Sequence, residues 1–232
     1  MPEALTDPAK AKVRLLEINE KIDEALAKSS RKRGEVKLLA VSKTFPVSSI
    51  LAFRQAGQFD FGESYIKEAR EKIPSLPDDL NWHLIGRLQT NKAKYASTLF
   101  GTFHALDSLD LAAELDSRLK ASSKTMDVYV QVNVSGEDAK GGLAPLELSP
   151  FLDGLSAFSS LNVLGLMTMP PYDPDPEVSR PHFVALRELR DKVAPHLKGL
   201  SMGMSDDFPV AISEGATVVR IGTALFGARS RL

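Results

Sequence analysis

The sequence predicts an α/β fold, a TIM-type (β/α)8 barrel with an additional N-terminal helix, built as a single domain over residues 1–232. Three observations predict it. Strand-like and helix-like segments alternate along the chain, the alternation reaches about eight units without a long insertion, and no early GxGxxG follows the first strand. Alternation by itself does not separate a closed sheet from an open, doubly wound one. The unit count and the missing glycine fingerprint favour closure.

The elements read as follows. Residues 6–28 form an amphipathic helix, with Val13, Leu16, Ile18, Ile22 and Leu26 at broadly helical spacing. A basic patch at 28–33 reads as a solvated loop, and the apolar run 37–43 reads as a buried strand ended by Thr44-Phe45-Pro46. Its helix covers 46–56. Strand and helix pairs then follow at 59–62 and 64–73, 82–86 and 91–99, 103–106 and 109–119, 127–133 and 145–158, 161–168 and 177–193, 200–203 and 206–214, and 217–221 and 224–228. The Pro-rich piece at 169–176 is a loop, because the next helix resumes the pattern directly. The helical Lys and Glu pairs in residues 9–33 and 180–192 read as solvated faces.

Composition excludes several functions. With 29 basic and 30 acidic residues the formal charge is −1, at 25% charged and 43% hydrophobic residues, which is globular and neither disordered nor collagen-like. Nothing here attracts nucleic acid or a membrane surface electrostatically, whereas small anions remain suitable ligands. The absence of cysteine removes disulfides, thiolate catalysis and Cys-ligated metal centres. His83, His104, His182 and His196 show no metal-ligand spacing, so no metal is expected and their roles are expected to be structural or at the surface. The amino terminus has no apolar leader segment, and no stretch approaches the roughly 18 apolar residues that cross a bilayer, so the expected location is cytoplasmic.

Chemistry concentrates at two strand ends. Alternation puts Leu39, Val41 and Lys43 on one face, so an ammonium stands at the end of an apolar row. Desolvation lowers a lysine's pKa and lets it form a Schiff base with an aldehyde, although position alone does not separate that role from a lysine reaching solvent. Near the other terminus, Val218, Arg220 and Gly222 share a face, and Gly222-Thr223 opens a short helix whose N–H groups suit a phosphate. Ser201-Met202-Gly203-Met204-Ser205 repeats the device one unit earlier, with Ser201 and Gly203 as candidate phosphate contacts and Ser205 as an N-cap. Each segment also has a purely structural reading, as cap or tight turn. Lys43 and the last two strand ends share one site only if the barrel closes, and a ligand with an aldehyde at one end and a phosphate at the other then fits it. His83 and Arg87 on strand three read as core or rim, Asn133 as loop-forming, Lys140 as a solvated loop lysine, and Met167, Met169, Met202 and Met204 as packing.

LLAVSKTFP at 38–46, FGESYIKEA at 61–69, WHLIGRLQTNK at 82–92, QVNVSGEDAKGGL at 131–143, GLMTMPP at 165–171 and the run from Leu200 to Arg229 together resemble the pyridoxal phosphate homeostasis protein family. The resemblance is collinear from about residue 10 to 229. It implies a fold similar to the alanine racemase N-terminal barrel, pyridoxal 5′-phosphate (PLP) as cofactor, and a role in vitamin B6 and amino-acid homeostasis without an established reaction. By resemblance, Lys43 is the internal-aldimine lysine, and Ser201, Gly222 and Thr223 surround the phosphate. Arg220 lies near the pyridine nitrogen, with backbone groups near Met202 and Gly203 contributing. Ser64 departs from the family, which usually carries Asn there.

The resulting expectation is a non-catalytic carrier or regulator. Its expected partners are PLP and the PLP-dependent apo-enzymes that receive it, with no nucleic acid or membrane, and its expected state is a monomer or weak dimer. An amino-acid racemase is the alternative, and a Schiff-base aldolase a third reading. Two-base racemisation needs a second proton donor, which alanine racemase takes from a further β domain. None is expected here, because the sequence stops at Leu232 soon after the last unit, and Tyr172 is the tyrosine singled out for testing.

Overall fold

The computed structural model of the 232-residue chain describes residues 5–137 and 140–228. Helix α1 (Pro8–Lys28) begins where the Asp7 carboxylate accepts the Ala9 N–H at 2.9 Å, with Pro8 at the first position, where no N–H is needed. Its buried stripe is Ala11, Leu15, Ile18, Ile22, Ala25 and Leu26. Val13 and Leu16, expected on that stripe, face outward at 55% and 53% exposure. The reason is register: Ile18, Ile22 and Leu26 define a face whose earlier positions are 15 and 11, so 13 and 16 fall off it.

The barrel follows in strict alternation: β1 (Lys37–Val41), α2 (Val47–Gln55), β2 (Asp60–Glu63), α3 (Ile66–Lys72), β3 (Asn81–Leu84), α4 (Ala93–Leu99), β4 (Thr102–Leu106) and α5 (Leu109–Ala121). Then come β5 (Met126–Gln131), α6 (Leu148–Leu155), β6 (Leu161–Met167), α7 (Arg180–Val193), β7 (Gly199–Met204), α8 (Phe208–Ser213), β8 (Val218–Ile221) and α9 (Thr223–Phe226). The strands pair in chain order and β8 returns to β1 in parallel, with Leu39 opposite Arg220 and Ala40 opposite Ile221. That pairing decides for the closed sheet. The expected helices at 145–158 and 177–193 open as 3-10 turns at Pro145–Glu147 and Pro176–Ser179.

The interior is close-packed. A Cβ on Gly165 of β6 would lie 1.8 Å from the Gly199 carbonyl oxygen of β7, so those two strands approach as no side chain permits. Helix α1 packs against α2, α8 and α9. Arg31, expected to be solvated with its basic neighbours, instead donates to the carbonyls of Ile212 at 2.9 Å and Ala216 at 2.8 Å. Arg14 donates to the Leu225 carbonyl at 3.1 Å. Helix α1 and the turn that follows it thereby fasten α9 and α8, because orphan carbonyls at helix ends accept cationic donors. Arg180 and Arg187 of α7 converge on Glu214 at the end of α8. Among the described residues no helix is long and apolar enough to cross a membrane.

Candidate functional site

Lys43 stands two residues beyond β1, and the backbone on either side of it is clamped from behind the sheet. The Lys72 ammonium of α3 donates to the Ser42 carbonyl at 3.0 Å and to Glu63 Oε1 at 3.1 Å, and the Ser42 hydroxyl donates to the same carboxylate oxygen at 2.8 Å. Glu68 pairs with Lys72 and accepts the Thr44 N–H at 2.6 Å. Thr44 holds φ at +70°, a left-handed conformation that a β-branched residue rarely adopts and that costs about 1–3 kcal/mol. Burial pushes the Glu63 carboxyl above its ordinary range, with the Lys72 ammonium opposing. Strain of this kind concentrates at functional sites, where surrounding bonds over-determine it.

Across the β1–β8 seam, the N–H groups of Gly222 and Ala224 donate to the Ser205 hydroxyl at 3.2 and 3.3 Å. Ser205 is therefore not the N-cap expected for α8. That position belongs to Asp207, whose carboxylate accepts the Met204 N–H at 2.6 Å and turns Ser205 toward the neighbouring loop. A Cβ on Gly222 would meet Val41 at an ordinary 3.6 Å, so this glycine leaves room and relieves no clash.

Arg220 is 4% exposed. Its guanidinium donates to the Ser201 carbonyl at 2.7 Å, to the Ser201 hydroxyl at 2.9 Å and to the Thr168 carbonyl at 2.9 Å, all neutral oxygens. Burial lowers its pKa to about 10, with the Asp207 carboxylate partly opposing, so it stays charged at neutral pH.

These features meet in a cavity of about 420 Å³ at the C-terminal mouth of the barrel, where Val41 and Ile85 supply apolar walls. Lys43, Arg220, Gly222 and Thr223 all line it, together with Ser64, Ser205 and Tyr172. Ser201, Met202 and Gly203 are not brought to this wall. Ser201 and Met202 are fully buried, and the Ser201 hydroxyl is held between Arg220 and His104, the latter at 2.8 Å. Gly203 has φ of +92°, and a Cβ there would lie 2.6 Å from the Ala211 Cβ, so it serves the packing of β7 on α8. Alternation puts residues 201, 203 and 205 on one face, but only the last stands at the strand's end.

Sequence reasoning missed the clamp of Glu63, Glu68 and Lys72, because nothing local announces which lysine lies behind which strand. Asn133 folds its own loop, accepting the Gly136 N–H at 3.0 Å and donating to the Glu137 carbonyl at 2.9 Å. A cleft of about 490 Å³ between α6 and α7 contains Asp153 and His196 but no lysine or arginine. The donor set of the mouth cavity is an amine, a guanidinium, hydroxyls and backbone N–H groups. It fits a small molecule with an electrophilic carbon at one end and a phosphate at the other.

Residues 15–230 match the family model for the alanine racemase N-terminal domain. A pyridoxal phosphate homeostasis protein of Aquifex aeolicus is 45% identical over 221 residues, covering 93% of this chain and 97% of that protein. Its counterpart in Escherichia coli K12 is 39% identical, covering 93% and 95%. Among solved structures, a Bifidobacterium adolescentis protein superposes with a TM-score of 0.87 at 31% identity, covering 94% and 95%. PipY of Synechococcus elongatus, solved with PLP bound, gives a TM-score of 0.77 at 37% identity, covering 89% and 100%. Clostridium difficile alanine racemase shares the fold alone, at 15% identity, a TM-score of 0.73 and 57% of its own chain covered. Fold and mouth cavity thus define a barrel of the alanine racemase N-terminal class. Within that class, the chain belongs to the pyridoxal phosphate homeostasis protein family.

Proposed function

We propose that the protein holds PLP in the mouth cavity as a Schiff base on Lys43 and serves vitamin B6 and amino-acid homeostasis as a carrier, without catalysing a reaction of its own. One observation carries this reading: the β8–β1 pairing sets the Lys43 amine and the Gly222–Thr223 donors around one cavity. The PipY relative with PLP bound supports it.

In this reading the Lys43 amine condenses with the cofactor's aldehyde, releasing water. The Ser205 hydroxyl and the Thr223 N–H and hydroxyl donate to the phosphate, and Gly222 leaves it room. Arg220 faces the pyridine nitrogen, and Ser201 acts from behind by carrying Arg220. Met202 and Gly203 shape the turn that presents Ser205. PLP, when bound, supplies a ring that withdraws electrons from an attached amine. A guanidinium beside the ring nitrogen disfavours its protonation and so limits that withdrawal, which suits storage better than turnover.

The racemase reading draws on Tyr172, which lines the same cavity at 73% exposure and offers a phenol as a second proton donor. Wash-out of the α-deuteron from a labelled amino acid, abolished by Tyr172→Phe, would establish it over the carrier.

The deciding experiment is an absorbance spectrum of the PLP-loaded protein before and after borohydride, with peptide mapping. A visible band and a reduced adduct on Lys43 are expected, and Lys43→Ala abolishes both. An adduct that persists in Lys43→Ala transfers the role to another lysine, and a protein that takes up no PLP ends the proposal.

A further inference from the structure

Beneath the cavity, a single file of polar side chains crosses the barrel interior. At the N-terminal mouth the Lys37 ammonium donates to Asp60 Oδ1 at 2.9 Å, and His83 Nε2 lies 3.2 Å from the same oxygen. His83 Nδ1 is 3.0 Å from His104 Nε2, and His104 Nδ1 is 2.8 Å from the Ser201 hydroxyl. That hydroxyl accepts from Arg220 at 2.9 Å, and Arg220 lines the cavity. Five side chains on β2, β3, β4, β7 and β8 thus connect one mouth to the other. The His104 ring is held in plane by stacking on Tyr129, at 4.6 Å between centroids and 17°.

The chemistry of the two ends dictates what lies between. Arg220 can only donate, and the Asp60 carboxylate can only accept. The Asp60 carboxylate therefore requires a proton on His83 Nε2. With one proton on each ring, His83 Nδ1 then accepts, His104 Nε2 donates, His104 Nδ1 accepts, and the Ser201 O–H must point at His104. Only that orientation leaves the Ser201 lone pairs for the Arg220 N–H. Every bond runs the same way, from guanidinium to carboxylate. Full burial, with the Arg220 and Lys37 charges adding, holds the His104 imidazole well below its ordinary pKa, in keeping with a neutral ring.

We propose that Asp60, His83, His104 and Ser201 form a one-directional relay of hydrogen bonds that orients the Arg220 guanidinium in the cavity wall, with His104 as the central positioning residue. Where it concerns PLP, this rests on the function proposed above. The other His104 tautomer would donate to Ser201, which would then face two donors and release its own hydrogen toward neither.

Long-range ¹H–¹⁵N correlation on histidine-labelled protein without PLP reads the tautomers directly. Both His83 and His104 are expected as Nε2–H forms, and an Nδ1–H form of either overturns the relay. Asp60→Asn, at the remote mouth, replaces the acceptor-only end by an amide that also donates. It should move the His104 ring ¹⁵N shifts, and unmoved shifts count against the relay. In the PLP-loaded protein, His104→Phe should weaken PLP binding about tenfold, the worth of one well-placed hydrogen bond, and displace the chromophore's absorbance maximum. Unchanged affinity and spectrum in a folded His104→Phe protein overturn the positioning role. If His104→Phe does not fold, the tautomers and Asp60→Asn decide. If the wild type takes up no PLP, the functional proposal fails while the tautomer measurement still judges the relay.

Discussion

The two mouths of the barrel use the same kinds of group in opposite ways. At the N-terminal mouth the Lys37 cation meets a carboxylate directly, Asp60, with His83 on the same oxygen. At the C-terminal mouth the Arg220 cation is held by the carbonyls of Ser201 and Thr168 and by a hydroxyl, which orient it without cancelling its charge. A carboxylate partner neutralises a cation, whereas neutral oxygens leave its field for a ligand. The lower mouth is thereby structural, and the upper one is suited to an anion. A single strand shows the same division. Burial raises the Asp60 carboxyl, but hydrogen bonds from His83 and Lys37 outweigh it and bring it below its ordinary value. Three residues on, burial prevails and Glu63 is raised.

Substitutions at each mouth sharpen this contrast. The largest effect on stability is expected at the upper mouth from Gly203→Ala, which combines a φ of +92° with a Cβ contact of 2.6 Å to Ala211. Chemical denaturation should show a loss of about 2–4 kcal/mol, and a loss below about 1 kcal/mol would mean that β7 and α8 separate easily. Next comes Ser205→Ala, which strips the Gly222 and Ala224 N–H groups of their acceptor and, under the proposed function, the phosphate of a donor. PLP titration should show binding weakened about tenfold, and unchanged affinity would take Ser205 out of the cradle.

The carboxyls of β2 should give pH dependences of opposite sign. Asp60 is depressed from its ordinary 3.8, so the unfolded state binds more protons and its stabilising contribution is lost as pH falls through the folded pKa. Glu63 is raised from 4.5, so the folded state binds more protons and stability is lost as pH rises above that value through the folded pKa. Denaturant midpoints between pH 3 and 7 should therefore show a shallower acid limb in Asp60→Asn and a shallower decline above about pH 4.5 in Glu63→Gln. Identical profiles in both variants would refute the contrast. The smallest effect is expected from Lys37→Ala. Its side chain is 49% exposed, so stability should change by less than about 1 kcal/mol and PLP affinity not at all.

Much of the barrel was legible in order and number, because βα alternation is a local property of hydrophobic periodicity and turn residues. Periodicity alone places Val13 and Leu16 on the α1 stripe, because they are as apolar as the residues that pack and only α2, α8 and α9 reveal which face is covered. Lys43, Arg220, Gly222 and Thr223 stood out because strand ends and helix starts are marked in the chain. Local sequence makes Ser205 a cap, the nearest use for a serine before a helix, while its hydroxyl serves the next strand's loop. His83 and His104 carry no motif at all, since their partners besides each other lie on β2, β5 and β7.

What the chain determined by itself is therefore what neighbours along it can impose: helix starts, strand alternation, and a lysine and an arginine at the ends of apolar rows. Which mouth holds a neutralised cation and which an open one was decided only on closure. Burial, register and the direction of a hydrogen-bond chain are relations between strands, and they exist only once β8 lies against β1.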